Sequence, residues 1–270
     1  MNKLCFFSLG SGSSGNCYYL GTHEYGFLID AGVGVRTIKK ELKEHNLSFE
    51  NIWGVFITHD HTDHIKSVGS LGEKYHLPIY LTAEMQRGIN KNYRVTEKLT
   101  SCCKFFKKGE HIYLRDFLIQ SFPVSHDASD SVGYSFIYGD QHFVIATDLG
   151  YIGKEAADHI IKANYLIIEA NYDENMLKNG SYPYQLKQRV RSHTGHLCND
   201  HTAKFLADNY NPNLTHVFLC HLSQENNTPE LAFKTVNDAL AAKGITLEIL
   251  TPLERTTTSP FYEFKEYNEQ

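Results

Sequence analysis

The chain has 270 residues, is 41% hydrophobic and carries a formal net charge of −5. This composition suits one large core and excludes fibrous and disordered chains. The acidic balance argues against a strongly basic nucleic-acid surface. It does not exclude a nucleic-acid substrate, because bound dications can supply positive charge locally.

Neither a membrane span nor a secretion signal is indicated by the sequence. No window approaches the apolar length that a membrane span needs. Residues 1–17 lack the pattern of a signal peptide, because a short apolar run continues into a Gly/Ser loop. We expect a cytoplasmic protein that does not bind membranes and whose six cysteines are reduced thiols. Since no repeat or linker is visible, we also expect a single domain over residues 1–270.

Short apolar runs rich in β-branched and aromatic residues predict strands along the whole chain. In chain order these runs are residues 4–10, 25–32, 52–60, 77–83, 117–127, 132–140, 142–150, 164–171 and 216–223. Helical periodicity is typical of residues 35–44, 63–75, 153–163, 199–209 and 228–243. Strands with helices between them indicate a layered α/β or α+β domain.

Polar residues stand at the C-terminal ends of several of these predicted strands. They are Asp30, His59, His126, Asp148, Glu169 and His221. Ligand sites in open α/β sheets gather at strand ends, because the ends on one edge of a sheet converge in space. Residues that are far apart in the sequence can therefore form one site.

The densest group of coordinating side chains is His-Asp-His-Thr-Asp-His at residues 59–64. His59 and His61 are two positions apart, so on an extended segment they point the same way. Asp63 and His64 lie where the next helix is predicted to begin. Neutral imidazoles and carboxylates are ligands that suit Zn²⁺, Mn²⁺ or Fe.

The strand-end residues supply what a pair of metal sites would still need. His126 could complete one site with His59 and His61. His221 could complete another with Asp63 and His64. A pair of metal ions about 3.5–4 Å apart usually shares a bridging carboxylate. Asp148 is the natural candidate for that bridge.

In this order, Asp30 in "LIDAG", the motif at 59–64, His126, Asp148 and His221 resemble the metallo-β-lactamase fold superfamily over nearly the whole chain. The resemblance implies an α+β fold, a four-layer αββα sandwich with a dinuclear metal site at one edge. It implies that metal one takes His59, His61, His126 and Asp148, and that metal two takes Asp63, His64, Asp148 and His221. Asp30 would orient these ligands from behind.

Two further segments resemble the WalJ/YycJ-type branch, which is related to bacterial DNA exonucleases and to phosphodiesterases. They are "SLGSGSSGNC" at the start and "TGHLCND" at 194–200. Cys198 stands where the branch typically has Ser, and Tyr172 stands where it often has His. Asp148 is a carboxylate, whereas one class of antibiotic-hydrolysing zinc lactamases has a cysteine at that position.

The Gly/Ser loop at residues 10–16 offers candidate substrate contacts. Its free amides and hydroxyls can approach an anion closely, and a tight hairpin loop explains the same composition equally well. The substrate-binding candidates are Ser11, Ser13, Ser14, Asn16 and His196. His196 precedes a predicted helix and could hold a phosphate oxygen or protonate a leaving alkoxide, the alternative being a solvent-exposed histidine.

The resemblance therefore implies a metal-dependent hydrolase, a phosphodiesterase that acts on DNA in the manner of a 5′–3′ exonuclease. The cofactors would be two divalent ions, Zn²⁺ or Mn²⁺ with Fe also possible, and a hydroxide between them would be the nucleophile. Asp63 and His196 are the expected catalytic residues. The alternatives are a thioester or lactone hydrolase, a small-molecule phosphodiesterase, and a metal-binding regulatory module without turnover.

Overall fold

The structure is a computed structural model that describes residues 2–264. Its strands, in chain order, are β1 (Cys5–Gly10), β2 (Cys17–Gly21), β3 (Gly26–Ile29), β4 (Ile52–Phe56), β5 (Ile79–Leu81), β6 (Cys103–Phe105), β7 (His111–Leu114), β8 (Phe117–Pro123), β9 (Val132–Tyr138), β10 (Gln141–Ala146), β11 (Tyr165–Glu169), β12 (His216–Cys220), β13 (Ile249–Pro252) and β14 (Tyr262–Glu263). Its α-helices are α1 (Val35–Glu44), α2 (Thr62–Ile65), α3 (Ala83–Lys91), α4 (Lys154–Ile160), α5 (Glu174–Asn179), α6 (Tyr184–Arg191), α7 (Asn199–Asp208) and α8 (Pro229–Ala241).

The strands form two seven-stranded sheets. The first has the order β14-β1-β2-β3-β4-β5-β6, and the second has the order β13-β12-β11-β10-β9-β8-β7. Strands β3 to β6 run parallel in the first sheet, as do β10 to β13 in the second. Each sheet therefore presents a row of strand C-termini at one edge, where ligand sites collect.

An aromatic core joins the two sheets face to face. The ring of Phe6 on β1 lies 5.2 Å from Phe143 on β10 and 4.8 Å from Phe218 on β12, measured between ring centroids. Phe27 on β3 lies 5.9 Å from Phe136 on β9. Side chains of a strand alternate between its faces, so the neighbours of these second-sheet residues point to the opposite face.

That opposite face of the second sheet packs against helices. Val144 and Val217 belong to a second buried cluster, together with Ile160 of α4, Leu206 of α7 and Val236 of α8. On the other side of the molecule, Ile38 and Leu42 of α1 pack into the first cluster. Helix, sheet, sheet and helix follow one another, so the predicted αββα sandwich is confirmed.

The predicted elements agree with the structure best where burial makes them apolar. Each of the nine predicted strand segments overlaps an observed strand, and the helix predicted at 35–44 coincides with α1. The helix predicted at 63–75 is wrong as one element, because α2 ends after one turn and a wider helical turn follows at Ser70–Lys74. The elements that the sequence did not predict are β2, β6, β7, β13, β14, α3, α5 and α6.

Two other expectations concern membranes and the number of domains. No helix among residues 2–264 is long and apolar enough to cross a membrane. The expected single domain extends over residues 1 and 265–270, which lie outside the described residues.

Three of the polar residues at the ends of the predicted strands have a left-handed backbone. Asp30 has a φ of 61°, and Asp148 and His221 each have a φ of 54°. This conformation is uncommon for residues other than glycine, costs about 1–3 kcal/mol each, and collects at functional sites. The three lie just past β3, β10 and β12, so the chain turns sharply at the edge where the polar residues meet.

Candidate metal centre

Three histidines from two loops meet at the edge of the sandwich. His59, His61 and His126 each offer a ring nitrogen, and these atoms all lie within 4.8 Å of one another. Nε2 of His126 is 3.2 Å from Nδ1 of His61. Nε2 of His59 is buried and has no hydrogen-bond partner among residues 2–264. We call these three residues the first trio.

A second trio lies beside the first and consists of Asp63, His64 and His221. Oδ2 of Asp63 is 3.5 Å from Nε2 of His64 and 3.4 Å from Nε2 of His221. Nε2 of His221 is another buried nitrogen for which the described part of the chain supplies no hydrogen bond. Buried polar atoms are nearly always paired, so both orphaned nitrogens need an explanation.

Asp148 lies between the two trios. Its Oδ2 is 3.3 Å from Nε2 of His64, and its Oδ1 is 3.8 Å from Nε2 of His126. One fully buried carboxylate therefore reaches a ligand atom of each trio. A bridging carboxylate in a two-metal site has this position.

Most of the ligand histidines use their second ring nitrogen to contact the protein. Nδ1 of His64 is 2.7 Å from Oδ2 of Asp30, which also accepts the hydroxyl proton of Thr58. Nδ1 of His126 is 3.0 Å from the carbonyl of Gly195, and Nε2 of His61 is 3.1 Å from the carbonyl of Asp127. Such contacts fix the ring orientation and the tautomer of a metal ligand.

Glu169 is a member of the site to which the sequence assigned no role. It ends β11, is fully buried, and places Oε1 2.7 Å from Nδ1 of His196 and 2.9 Å from Nδ1 of His221. Its Oε2 accepts backbone N–H groups from Leu149 and Leu197. The available signal was its strand-end position, shared with the other ligands, at the end of the apolar run "YLIIE".

The electrostatics of the cluster favour cations. Burial lowers the pKa of His59 well below its usual value, and His64 lowers it further, so this ring is neutral and able to bind a metal. Burial also acts to lower the pKa of His221, but the carboxylates around it raise that pKa to about 10. The acids of the cluster are Asp30, Asp148 and Glu169, which are buried, and Asp63, which is partly exposed. Buried charge of one sign needs compensation, which divalent ions would supply.

The donor set therefore fits divalent metal ions. It combines imidazole nitrogens with carboxylate oxygens and includes two orphaned buried nitrogens. Zinc, manganese and iron sites in proteins use the same ligand types. The residues of this edge are therefore a candidate metal centre.

A close backbone contact holds the motif at residues 59–64 in position. A Cβ atom at Gly32 would lie 1.6 Å from the carbonyl oxygen of Asp63, so only glycine fits there. The same carbonyl accepts the backbone N–H of Asn16 at 2.7 Å. The Gly/Ser loop and the segment after β3 thus hold the start of α2 between them.

A cavity of about 230 Å³ opens over the metal centre. It is lined by Ser13, His61, Asp63, Asp148, Asn171, Tyr182, Leu186, Arg189, Val190, His196, His221, Ser223 and Asn226. His196 lies beside the ligands, with its ring centroid 5.1 Å from that of His126. The structure thus brings the expected catalytic residues, Asp63 and His196, to one cavity.

The loop residues expected to bind substrate divide into two groups. Ser13 lines the cavity, and Ser14 is exposed but is not part of the lining. Ser11 and Asn16 are fully buried instead: Oγ of Ser11 accepts the backbone N–H of His221, and Nδ2 of Asn16 lies 2.9 Å from Nε2 of His64. Neither Ser11 nor Asn16 lines the cavity, and both contact candidate metal ligands instead. Substrate contact by these two residues stays a prediction.

The fold and the site together define a class of protein. The chain matches the Beta-lactamase superfamily domain over residues 25–221 and belongs to that superfamily. The metallo-β-lactamase fold protein YhfI from Bacillus subtilis shares the fold with a TM-score of 0.70, at 16% identity, over 98% of this chain and 100% of that one. Membership and the ligand cluster together identify a metal-dependent hydrolase.

More similar relatives narrow the family. The chain is 36% identical over 242 residues to Exodeoxyribonuclease YycJ of Bacillus anthracis. The aligned region covers 89% of this chain and 90% of that relative. It is 38% identical over 234 residues to Exodeoxyribonuclease WalJ of Streptococcus pneumoniae. Here the aligned region covers 86% of this chain and 87% of the relative. The chain belongs to the family of these proteins, and the predicted WalJ/YycJ-type resemblance is confirmed.

Proposed function

We propose that this protein is an exonuclease that hydrolyses phosphodiester bonds at the end of a DNA strand. Relatives of similar length carry the name exodeoxyribonuclease. The structural observation that carries the proposal is the position of His196. It borders the cavity over the metal centre, and its Nδ1 is held 2.7 Å from Glu169, which leaves its other nitrogen available to a substrate.

The proposed cofactors are two divalent ions, one held by each trio with Asp148 shared between them. Zn²⁺ and Mn²⁺ both suit this mixture of ligands, and Fe is also compatible. When bound, such ions would lower the pKa of a water and offset negative charge on the phosphate.

The chain's own residues would position the substrate and move its protons. His196 would donate a proton from Nε2 to the departing oxygen, while the carboxylate of Glu169 stabilises the charged ring. Asp63 faces the cavity with a carboxylate whose pKa, despite burial, is held low by His64 and His221, so that it can accept a hydrogen bond from an attacking water. The hydroxyl of Ser13 is available to a phosphate oxygen at the cavity surface.

Two finer points belong to the same proposal. Digestion would run from the 5′ end, as the resemblance to the branch implies. The place of action would be the cytoplasm, where a bacterial enzyme meets DNA. The metal-ligand assignments, and the role of Asp30 in orienting His64 from behind, are likewise part of what we propose.

A substrate panel tests the function. Single- and double-stranded oligonucleotides labelled at the 5′ end are incubated with the Mn²⁺- or Zn²⁺-loaded protein, beside bis(p-nitrophenyl) phosphate, a thioester and a lactone. We expect early release of a labelled mononucleotide, with Asp148→Asn as the inactive control. Hydrolysis of the thioester or lactone without cleavage of any phosphodiester would refute the proposal. Metal binding without turnover of any substrate would indicate a regulatory module instead.

A further inference from the structure

One wall of the cavity is built by residues that have no part in metal binding. Tyr182, Leu186, Arg189 and Val190 line it, and three of these residues lie on α6. Positions 186, 189 and 190 are three and four apart, so they share one face of the helix. We call Tyr182 together with this face the α6 wall.

The α6 wall offers a fixed apolar surface next to a highly charged centre. Tyr182 and Leu186 are half-buried and pack against a separate buried cluster of Tyr172, Leu177, Val190 and Cys198. This packing holds the ring of Tyr182 in place at the cavity. An aromatic ring does not serve as a ligand for hard or borderline metal ions, but nucleic-acid bases stack on such rings in a sequence-tolerant manner.

The same wall carries a positive charge. Arg189 is the one lysine or arginine among the residues that the structure shows lining this cavity. Its Nε and Nη2 contact the two carboxylate oxygens of Asp127 at 2.5 and 3.1 Å, and this two-point contact orients the guanidinium. Three N–H donors of a guanidinium held in this way remain available, and guanidinium groups match phosphate geometry.

The geometry points to a binding site for the terminal nucleotide of the DNA strand, and this inference rests on the proposed exonuclease function. With a phosphodiester at the metal centre, the α6 wall bounds the space on one side of it. Tyr182 and Leu186 would contact the base of the last nucleotide, and Arg189 would contact a phosphate. The rest of the strand would leave the cavity away from α6, which confines cleavage to the strand end.

Kinetics of Tyr182 variants test the base contact. We expect Tyr182→Ala to raise KM for an end-labelled oligonucleotide about tenfold, the scale of one lost stacking contact, with its metal content unchanged. Tyr182→Phe keeps the ring and should retain the wild-type KM. Tyr113→Ala, which removes an exposed tyrosine of β7, is the matched control. Loss of metal from the Tyr182→Ala variant, or no change in its KM for DNA, would overturn the inference.

A binding measurement separates this inference from the proposed function. Fluorescence anisotropy of a labelled phosphorothioate single strand gives the affinity of the metal-loaded protein without turnover. Arg189→Gln should lower the slope of log affinity against log salt by about 0.7, the value for one phosphate contact, while Lys234→Ala on α8 should not. If the wild type binds with these differences but cleaves no DNA, the function fails and the nucleotide site stands. If the wild type cleaves DNA and none of the variants differs, the nucleotide site fails and the function stands.

Discussion

The two trios of the metal centre differ in what holds them. In the first trio, the second ring nitrogens are hydrogen-bonded to neutral groups, such as the carbonyls of Gly195 and Asp127. The carboxylate of Asp127 is farther away, with Oδ1 3.8 Å from Nε2 of His61. In the second trio, His64 and His221 contact the buried carboxylates Asp30 and Glu169. A carboxylate behind an imidazole raises its basicity as a ligand. We expect the second trio to hold its ion more tightly than the first.

Exposure does not distinguish the trios, because each has one partly exposed member. The side chain of His61 is 31% exposed and that of Asp63 is 23% exposed, whereas that of His64 is fully buried. His61 and Asp63 both line the cavity. The comparison teaches that the short motif at 59–64 supplies two kinds of candidate ligand, His61 and Asp63 at the cavity and His59 and His64 in the buried interior.

The largest effect is expected at the carboxylate that joins the trios. Asp148→Asn should abolish detectable hydrolysis and release metal from both trios, because a neutral amide cannot bridge two dications. Asn tolerates the left-handed backbone at this position, so the fold should persist. Metal analysis and circular dichroism of the purified variant check both statements. Two ions retained at wild-type affinity would show that the trios are independent.

Removal of His196 should separate chemistry from metal binding. His196→Ala is expected to lower kcat about 10²–10⁴-fold, the usual contribution of a positioned acid, with both ions still bound. Its neighbour His193 packs against Tyr151, so His193→Ala serves as the control for loop disturbance. Loss of metal from the His196 variant would mean that this residue supports the ligands and does not act on the substrate.

A substitution of the carboxylate that contacts His64 should affect the second trio alone. Asp30→Asn is expected to weaken the ion of the second trio about 10–100-fold and to spare the first, since only His64 loses its carboxylate. Titration of the metal-loaded variant with a chelator, followed as two separate release steps, measures this. Asp116→Asn, which changes an aspartate that accepts the hydroxyl proton of Tyr25, is the control. Equal weakening of both ions would contradict the proposed difference between the trios.

The smallest effect is expected at a hydroxyl that contacts groups behind both trios. Oγ1 of Thr58 donates to Asp30 and lies 3.1 Å from Nδ1 of His59. Thr58→Val keeps the shape and should weaken metal binding less than about tenfold, spread over both ions. Thr58→Ser should restore it. The same chelator titration applies, and a loss larger than that of Asp30→Asn would reverse the order.

The fold could be predicted well where strands are buried on both faces. The run "YLIIE" of β11 is buried at every position, so its sequence is nearly all apolar. Helix α6, "YQLKQRVR", was missed because it buries only Val190 completely and leaves no apolar stripe to detect. Leu186 and Val190 pack only into a small separate cluster and Arg189 lines the cavity, so the helix shows little of the periodicity that packing against a large core produces.

The sequence by itself determined which residue types stand at the strand ends, and so indicated the metal ligands. Only the tertiary structure decided how those ends meet. The parallel register pairs Ile145 with Ile167 and Ile167 with Phe218, which brings Asp148, Glu169 and His221 side by side at one edge. The tertiary structure also decided that Glu169 contacts His196 and His221 and that Arg189 lines the cavity. Those contacts join residues far apart in the chain, and local sequence patterns carry no record of such distances.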